Sequence, residues 1–198
     1  MKHIRITGLI LLATILAVGS TAVVSALTAS TTISSSISSV ISLLTTNGTV
    51  NVNVVPTGSG AQTIASDTVT VSTNDSSGYA LTLADTDATT TLVSGSNTIP
   101  ASSGSQTTPV VQANNTWGYA VQSLGGFNGS GYAAPNSAAV SGTLKFAGIP
   151  ATGSPNTLKT TSGTASSDTT TVWYAVAADT SQPSGTYTDS VTYTATAN

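Results

Sequence analysis

Several short runs of this chain alternate large apolar residues with small or polar ones, which is the period of two expected of a β-strand with one buried face. The pattern occurs at residues 50–54, 69–73, 79–83, 117–121 and 187–195. Ser and Thr make up about a third of the 198 residues, whereas Leu, Lys, Glu, Arg and Gln, which favour helices, are scarce. The sequence therefore predicts an all-β protein.

Turn-forming residues such as Gly, Pro and Asn separate these runs, for example at 56–58 and 183–185. Residues 170–177 are apolar on both faces, which predicts a central strand. Residues 31–44 fit either a helical stripe or a strand, and we favour a strand over 37–45. Because no helical segments connect the runs in parallel, we expect a single antiparallel β-sandwich of about eight or nine strands.

The first 26 residues have a basic start, a short apolar stretch and small residues at 24–26. This order is typical of a secretory signal peptide, and we expect cleavage after Ala26, with Ala22 and Ala29 as alternatives. An uncleaved membrane anchor is the alternative, because residues 6–26 are long enough to cross a bilayer. In both cases we expect an N-terminal signal helix, one exported domain at 27–198, and a location outside the cell or at its surface.

The exported part holds few groups that titrate near neutral pH. It carries Lys145 and Lys159 against seven Asp, a formal charge of −5, so it cannot neutralise a row of phosphates and we expect no nucleic-acid partner. The chain has no Cys, and its one His is at position 3, in the segment predicted to be removed. Catalytic triads and zinc sites lack their usual side chains here, so we expect a non-enzymatic protein without a cofactor.

Asp85 and Asp87 stand two residues apart beside hydroxyl-bearing residues, and hard oxygen ligands of this kind suit Ca²⁺ in an exported protein. Two carboxylates in one turn also occur without metal, and we favour a polar turn with no metal bound. A hydrolase that uses an Asp pair is the remote enzymatic alternative, although no spacing of the seven aspartates favours it.

Asp189 shares strand parity with Val191 and Tyr193, which puts a carboxyl group on the expected core face. A buried carboxyl group must be paired, hydrogen-bonded or protonated. One hypothesis is an amide cross-link between Lys145 or Lys159 and an Asn, promoted by this buried acid. We favour the simpler interpretation, in which Asp189 accepts backbone N–H groups at a strand end.

Aromatic residues provide the candidate binding residues, Trp117 and Tyr132. Trp117 belongs to a set, with Tyr119, Trp173 and Tyr174, that would form a stacking platform for a sugar if it were exposed. Core packing is the alternative, and we favour it because only 5% of the residues are aromatic. Tyr132 lies in a Gly-rich loop, where we expect its ring to be exposed.

The stretch Gly185-Thr-Tyr187-Thr-Asp189-Ser-Val191 resembles the Gly-x-Tyr-x-Asp-x-Val pattern that closes spore-coat-protein-U-like and fimbrial-type secreted domains. Residues 72–83 and 117–119 are similar to the core of uncharacterised surface proteins from small-genome, host-attached bacteria. These resemblances imply an exported β-sandwich with a structural or adhesive role. They imply no catalytic residue.

We therefore expect a secreted or cell-surface protein that acts through its loops or by pairing at its sheet edges. The expected partner is a cell-surface protein, a glycan or a second copy, and copies that pair by their edges would build a coat or fibre. The alternative is a carbohydrate-binding module that uses exposed aromatic residues. Contact with a membrane is expected only through residues 1–26, if these are not removed.

Overall fold

The computed structural model describes residues 27–122, 124–127, 131–133 and 135–198. The predicted signal segment, residues 1–26, lies outside the described residues. The chain divides into two units, one that ends at Ile37 and one formed by residues 38–198. Residues 27–37 contain no helix or strand, whereas residues 38–198 hold all the β-strands of the described residues.

Twelve β-strands occur in the described residues, where eight or nine were predicted. They are β1 (Ile41–Thr45), β2 (Ala61–Thr73), β3 (Tyr79–Asp85), β4 (Leu92–Ser94), β5 (Asn97–Ile99), β6 (Val110–Val111), β7 (Thr116–Val121), β8 (Ala138–Ala139), β9 (Lys145–Phe146), β10 (Asn156–Thr160), β11 (Ala165–Ala178) and β12 (Val191–Ala197). Five of them have only two or three residues, too few to show a period of two, which accounts for the larger number. The described part of the chain has no helix, and so none long and apolar enough to span a membrane. The all-β prediction is confirmed.

The larger sheet has the strand order β1-β2-β11-β7, and all its pairings are antiparallel. β2 and β11, with 13 and 14 residues, are the long central strands, and β8 adds two residues to the end of β2. The central strand predicted at 170–177 is confirmed, because β11 has a neighbour on each side. The first strand is shorter than the predicted 37–45, because pairing with β2 begins at Ile41.

A second sheet has the order β10-β3-β12 and is also antiparallel. The register of β10 shifts between Thr157 and Lys159, whereas β12 pairs with β3 in regular register along all seven of its residues. Two short antiparallel ladders, β4-β5 and β6-β9, complete the strand pairing of the described residues.

Both sheets contribute side chains to one cluster of buried residues. The alternating residues predicted to face the core are buried, namely Val69, Val71, Tyr79, Leu81, Leu83, Tyr119 and Val121. Removal of these apolar side chains from water is the main source of stability for a chain that has no cysteine to form a disulfide.

Residues 50–54 alternate in burial as predicted, with half-buried Val and exposed Asn, but they form no strand. Side chains hold this backbone in place of a ladder. Thr63 Oγ1 donates to the Asn53 carbonyl at 2.6 Å, and the Val55 N–H donates to Ser137 Oγ at 2.8 Å. The strand predicted here is therefore wrong, because no neighbouring strand supplies backbone partners.

Candidate functional site

A cleft of about 530 Å³ opens along β12. Residues 186–191 and Tyr193 form one wall, and residues 47–53 form another. The larger sheet supplies the lining residues Asp67, Trp117, Tyr174 and Val176. The cleft therefore lies beside the segment that leads into β12, and Val191 and Tyr193 are the residues of that edge strand that line it.

Two tyrosine hydroxyl groups meet in this cleft and connect the two sheets. The oxygen atoms of Tyr174 on β11 and Tyr193 on β12 are 2.6 Å apart, and either hydroxyl can donate. Burial raises the pKa of both phenols above the ordinary value for tyrosine. Both hydroxyls stay protonated at neutral pH, so the contact is a neutral hydrogen bond.

Asp67 holds the chain segment that follows β1 beside the cleft. This side chain is 3% exposed, and its Oδ1 accepts the Asn47 N–H at 3.0 Å. Asn47 Nδ2 in turn donates to the Ser66 carbonyl at 3.3 Å. With its start held in this way, the segment packs the side chains of Val50 and Val52 against the core.

Asp85, Asp87 and Asp189 lie together at one end of the second sheet. Asp85 is the last residue of β3 and Asp189 stands just before β12, so the antiparallel pairing of these strands brings them close. Asp85 is 1% exposed and its Oδ1 accepts the Asp87 N–H at 2.9 Å, while Asp189 Oδ1 accepts the Ser190 N–H at 2.7 Å. The Oδ2 atoms of Asp85 and Asp189 are buried and have no hydrogen-bond partner.

The environment of Asp189 disfavours its charged form. Burial, together with the negative charges of Asp85 and Asp87, raises the pKa of Asp189 to about 6, although the hydrogen bond from Ser190 acts in the opposite direction. The side chains of Asp85 and Asp189 are within reach of a hydrogen bond. Two carboxylates have no donor between them, so a proton or a cation must lie there for the contact to be favourable.

Asp87 has a different environment from the other two acids. It is exposed, and its Oδ1 accepts the Thr89 N–H at 2.6 Å, which is a turn contact. Within the described residues, no group of three or more His, Cys, Asp and Glu side chains is placed to hold a metal ion. The structure therefore brings Asp85 to Asp189, a neighbour that the spacing of Asp85 and Asp87 did not indicate.

Tyr132 is 6% exposed, so the prediction that its ring is exposed is wrong. The ring stacks on Trp173 with 6.2 Å between centroids and meets Phe146 edge-on at 5.6 Å. Its hydroxyl donates to the Lys145 carbonyl at 2.6 Å. The Gly-rich loop folds its single aromatic ring inward, because two other rings offer a surface that the ring can cover.

Trp117 lines the cleft but is only 5% exposed, and it belongs to the core cluster. Its indole N–H donates to the Thr90 carbonyl at 3.1 Å, which satisfies the polar end of the ring. A sugar-stacking platform needs an exposed ring face. Neither Trp117 nor Tyr132 offers one.

Lys159 pairs with Asp168 and not with an asparagine. The Nζ–Oδ1 distance is 2.5 Å, and the Tyr79 hydroxyl donates to Asp168 Oδ2 at 2.8 Å. Burial raises the pKa of Asp168, but hydrogen bonds from Lys159 and Tyr79 outweigh this effect. The pKa of Asp168 is therefore below the ordinary value for aspartate. This ion pair joins β10 to β11 and gives no support to an amide cross-link at Lys159.

Sequence reasoning missed the Tyr174–Tyr193 pair and a buried amide pair. Gln62 and Gln112 are 1% and 3% exposed, and Gln112 Nε2 donates to the Ala175 carbonyl at 3.0 Å. Strand parity could have placed both tyrosines on inward faces. It could not show that they meet, because they lie on different sheets.

Comparison of the chain with protein-family models, with curated proteins and with solved structures gives no match. What the site can do is therefore inferred from its own geometry.

Proposed function

We propose that this chain is an exported, non-enzymatic structural or adhesive protein, in which residues 38–198 form a β-sandwich and copies assemble by pairing at the edge of β12. The open edge of β12 carries the proposal. This strand has seven residues and one neighbour, β3, among the described strands. It contains no charged residue and no proline, and its register with β3 has no bulge. An edge of this kind is a template for another strand.

The opposite edge of the same sheet has the protection that β12 lacks. β10 carries Lys159, and its register with β3 shifts between Thr157 and Lys159. A lysine and a bulge on an edge strand are two devices by which natural sheets avoid edge pairing. The second sheet is therefore protected at the edge of β10 and open at the edge of β12, which supports strand pairing between copies at β12.

The hydrogen-bonding groups of β12 that face away from β3 can be assigned from its register. The Thr86 N–H donates to the Ser190 carbonyl and the Asn198 N–H donates to the Gly78 carbonyl, so even-numbered residues of β12 face β3. The odd-numbered residues from Val191 to Ala197 therefore direct their N–H and C=O groups toward the free edge.

The edge strand of the larger sheet lies on the same side of this unit. β1 packs beside β12 and has only β2 as a paired neighbour in the described residues. It has no charged residue, and Leu44 and the preceding Val40 are 68% and 64% exposed. A second copy is the partner that suits two uncharged edges, because their pairing brings no charged side chains together.

Residues outside the edges support the remaining parts of the proposal. The export signal is supported by the basic, apolar and small-residue order of residues 1–26. The non-enzymatic role is supported by the lack of Cys and His in residues 27–198. Burial of Trp117 and Tyr132 favours assembly over sugar binding through these two rings.

The variant Ala195→Pro tests the proposed edge pairing. It removes one N–H from the free edge of β12 and none of the bonds to β3. In analytical ultracentrifugation we expect the wild-type protein to form larger species as its concentration rises. We expect the variant to stay monomeric, with the far-UV circular dichroism of the wild type.

The matched control is Thr160→Pro on β10. The Thr161 N–H donates to the Tyr79 carbonyl, so the Thr160 N–H points away from β3, and its loss should leave assembly unchanged. Thr194→Lys puts a charge on the exposed face of β12 and is a second test if Ala195→Pro does not fold. A wild-type protein that is monomeric at every concentration, or an Ala195→Pro protein that assembles as the wild type does, would refute the proposal.

A further inference from the structure

Two buried carboxylate oxygens without a partner lie at the junction of β3 and β12. Oδ2 of Asp85 belongs to a side chain that is 1% exposed, and Oδ2 of Asp189 is itself buried. The other oxygen of each carboxyl group already has a donor. Asp85 Oδ1 accepts the Asp87 N–H, and Asp189 Oδ1 accepts the Ser190 N–H. Burial of a charged oxygen without a partner is strongly unfavourable, so the two Oδ2 atoms require something that binds both.

The space beside Asp189 is lined by oxygen-bearing side chains. A hollow of about 380 Å³ is bordered by five hydroxyl side chains, among them Thr188 and Ser190, and by the carboxyl groups of Asp87 and Asp189. No basic side chain borders this hollow among the described residues, and Lys159 is paired with Asp168 elsewhere. The surroundings of Asp189 therefore suit a hard cation, which prefers oxygen ligands.

We propose that Asp85 and Asp189 hold a Ca²⁺ ion between their Oδ2 atoms, at the point where the chain enters β12. Ca²⁺ accepts roughly six to eight oxygen ligands in flexible geometry, so hydroxyl oxygens, carbonyl oxygens and water can complete a site that has two carboxylates. Zn²⁺ is disfavoured because the site offers no nitrogen or sulfur ligand, and Mg²⁺ because it demands a rigid octahedron. The bound ion joins the end of β3 to the segment before β12.

Calorimetric titration with CaCl₂, after dialysis of the exported protein against EDTA, tests this site. We expect binding with a Kd of roughly 10⁻⁴–10⁻³ M, as in extracellular modules with few charged ligands. At about ten times that concentration, Ca²⁺ should raise the Tm by about 3–6 °C over the EDTA-treated protein. MgCl₂ should give a smaller rise.

Asp189→Asn should abolish both the heat of binding and the rise in Tm. This side chain is half-buried, and an amide fits the same space as the carboxyl group. Asp75→Asn is the matched control, because Asp75 is a half-buried turn aspartate that precedes β3 and accepts the Ser77 N–H, and it should keep the full calcium response. Asp85→Asn should match Asp189→Asn if it folds.

Two results would overturn the calcium site. One is an Asp189→Asn protein that still gains stability from CaCl₂. The other is a wild-type protein that ignores CaCl₂. If Asp189→Asn then also stabilises the metal-free protein, the two carboxyl groups share a proton instead.

Discussion

Single polar side chains connect the two sheets beside a largely apolar core. Tyr174 and Tyr193 meet at 2.6 Å, and Lys159 of β10 reaches Asp168 of β11. The tyrosine contact satisfies hydroxyl groups that burial would leave without partners, whereas the ion pair is partly exposed to water. The relative position of the sheets is therefore specified by a few hydrogen bonds as well as by apolar packing.

Tyr193→Phe should lower the free energy of unfolding by about 1–3 kcal/mol, because it leaves the buried Tyr174 hydroxyl without a partner. Urea unfolding followed by circular dichroism measures this change. The double variant Tyr174→Phe/Tyr193→Phe should lose less than the sum of the two single variants, because it removes both polar groups. Additive losses would show that the two hydroxyls do not interact.

β7 is held at the edge of the larger sheet by a close backbone contact. The Tyr119 N–H donates to the Ala147 carbonyl at 2.9 Å, and the Ala147 N–H donates to the Tyr119 carbonyl at 2.9 Å. A Cβ atom on Gly118 would lie 2.4 Å from the same Ala147 carbonyl oxygen. Glycine at position 118 is therefore what lets the two backbones approach each other.

Gly118→Ala should therefore destabilise the protein by about 1–3 kcal/mol, because the backbone of β7 or of its neighbour must move. The change is measured as a lower urea midpoint with an unchanged slope. Gly163→Ala is the control, since a Cβ there meets nothing within 4 Å and its φ is not positive. Equal midpoints for the two variants would show that the contact at position 118 carries no cost.

Residues 38–198 have one core that both sheets line, and the whole unit depends on it. Trp117 and Trp173 report on the larger sheet through their fluorescence, whereas far-UV circular dichroism reports on both sheets. Because neither sheet can bury its inward face alone, we expect the two signals to follow one urea transition with the same midpoint. Two separated transitions would mean that the sheets are stabilised independently.

Local patterns predicted which side chains face inward more reliably than which strands pair. Leu81 and Leu83 are buried as their alternation indicates, since that period depends only on neighbouring residues. Residues 50–54 have the same period and no strand partner, because pairing depends on a distant segment that is free to accept their backbone bonds. Tyr132 was placed wrongly for the same reason, because the rings that cover it belong to β9 and β11, outside its own loop.

The all-β class, the central position of β11 and the lack of His and Cys in residues 27–198 could be read from the order of residues alone, because composition and side-chain period are local properties. The meeting of Asp85 with Asp189, and the contrast between the open edge of β12 and the protected edge of β10, arise from the order β10-β3-β12. That order is set by long-range packing of the two sheets on one core, which brings distant residues together in a way that no local pattern encodes.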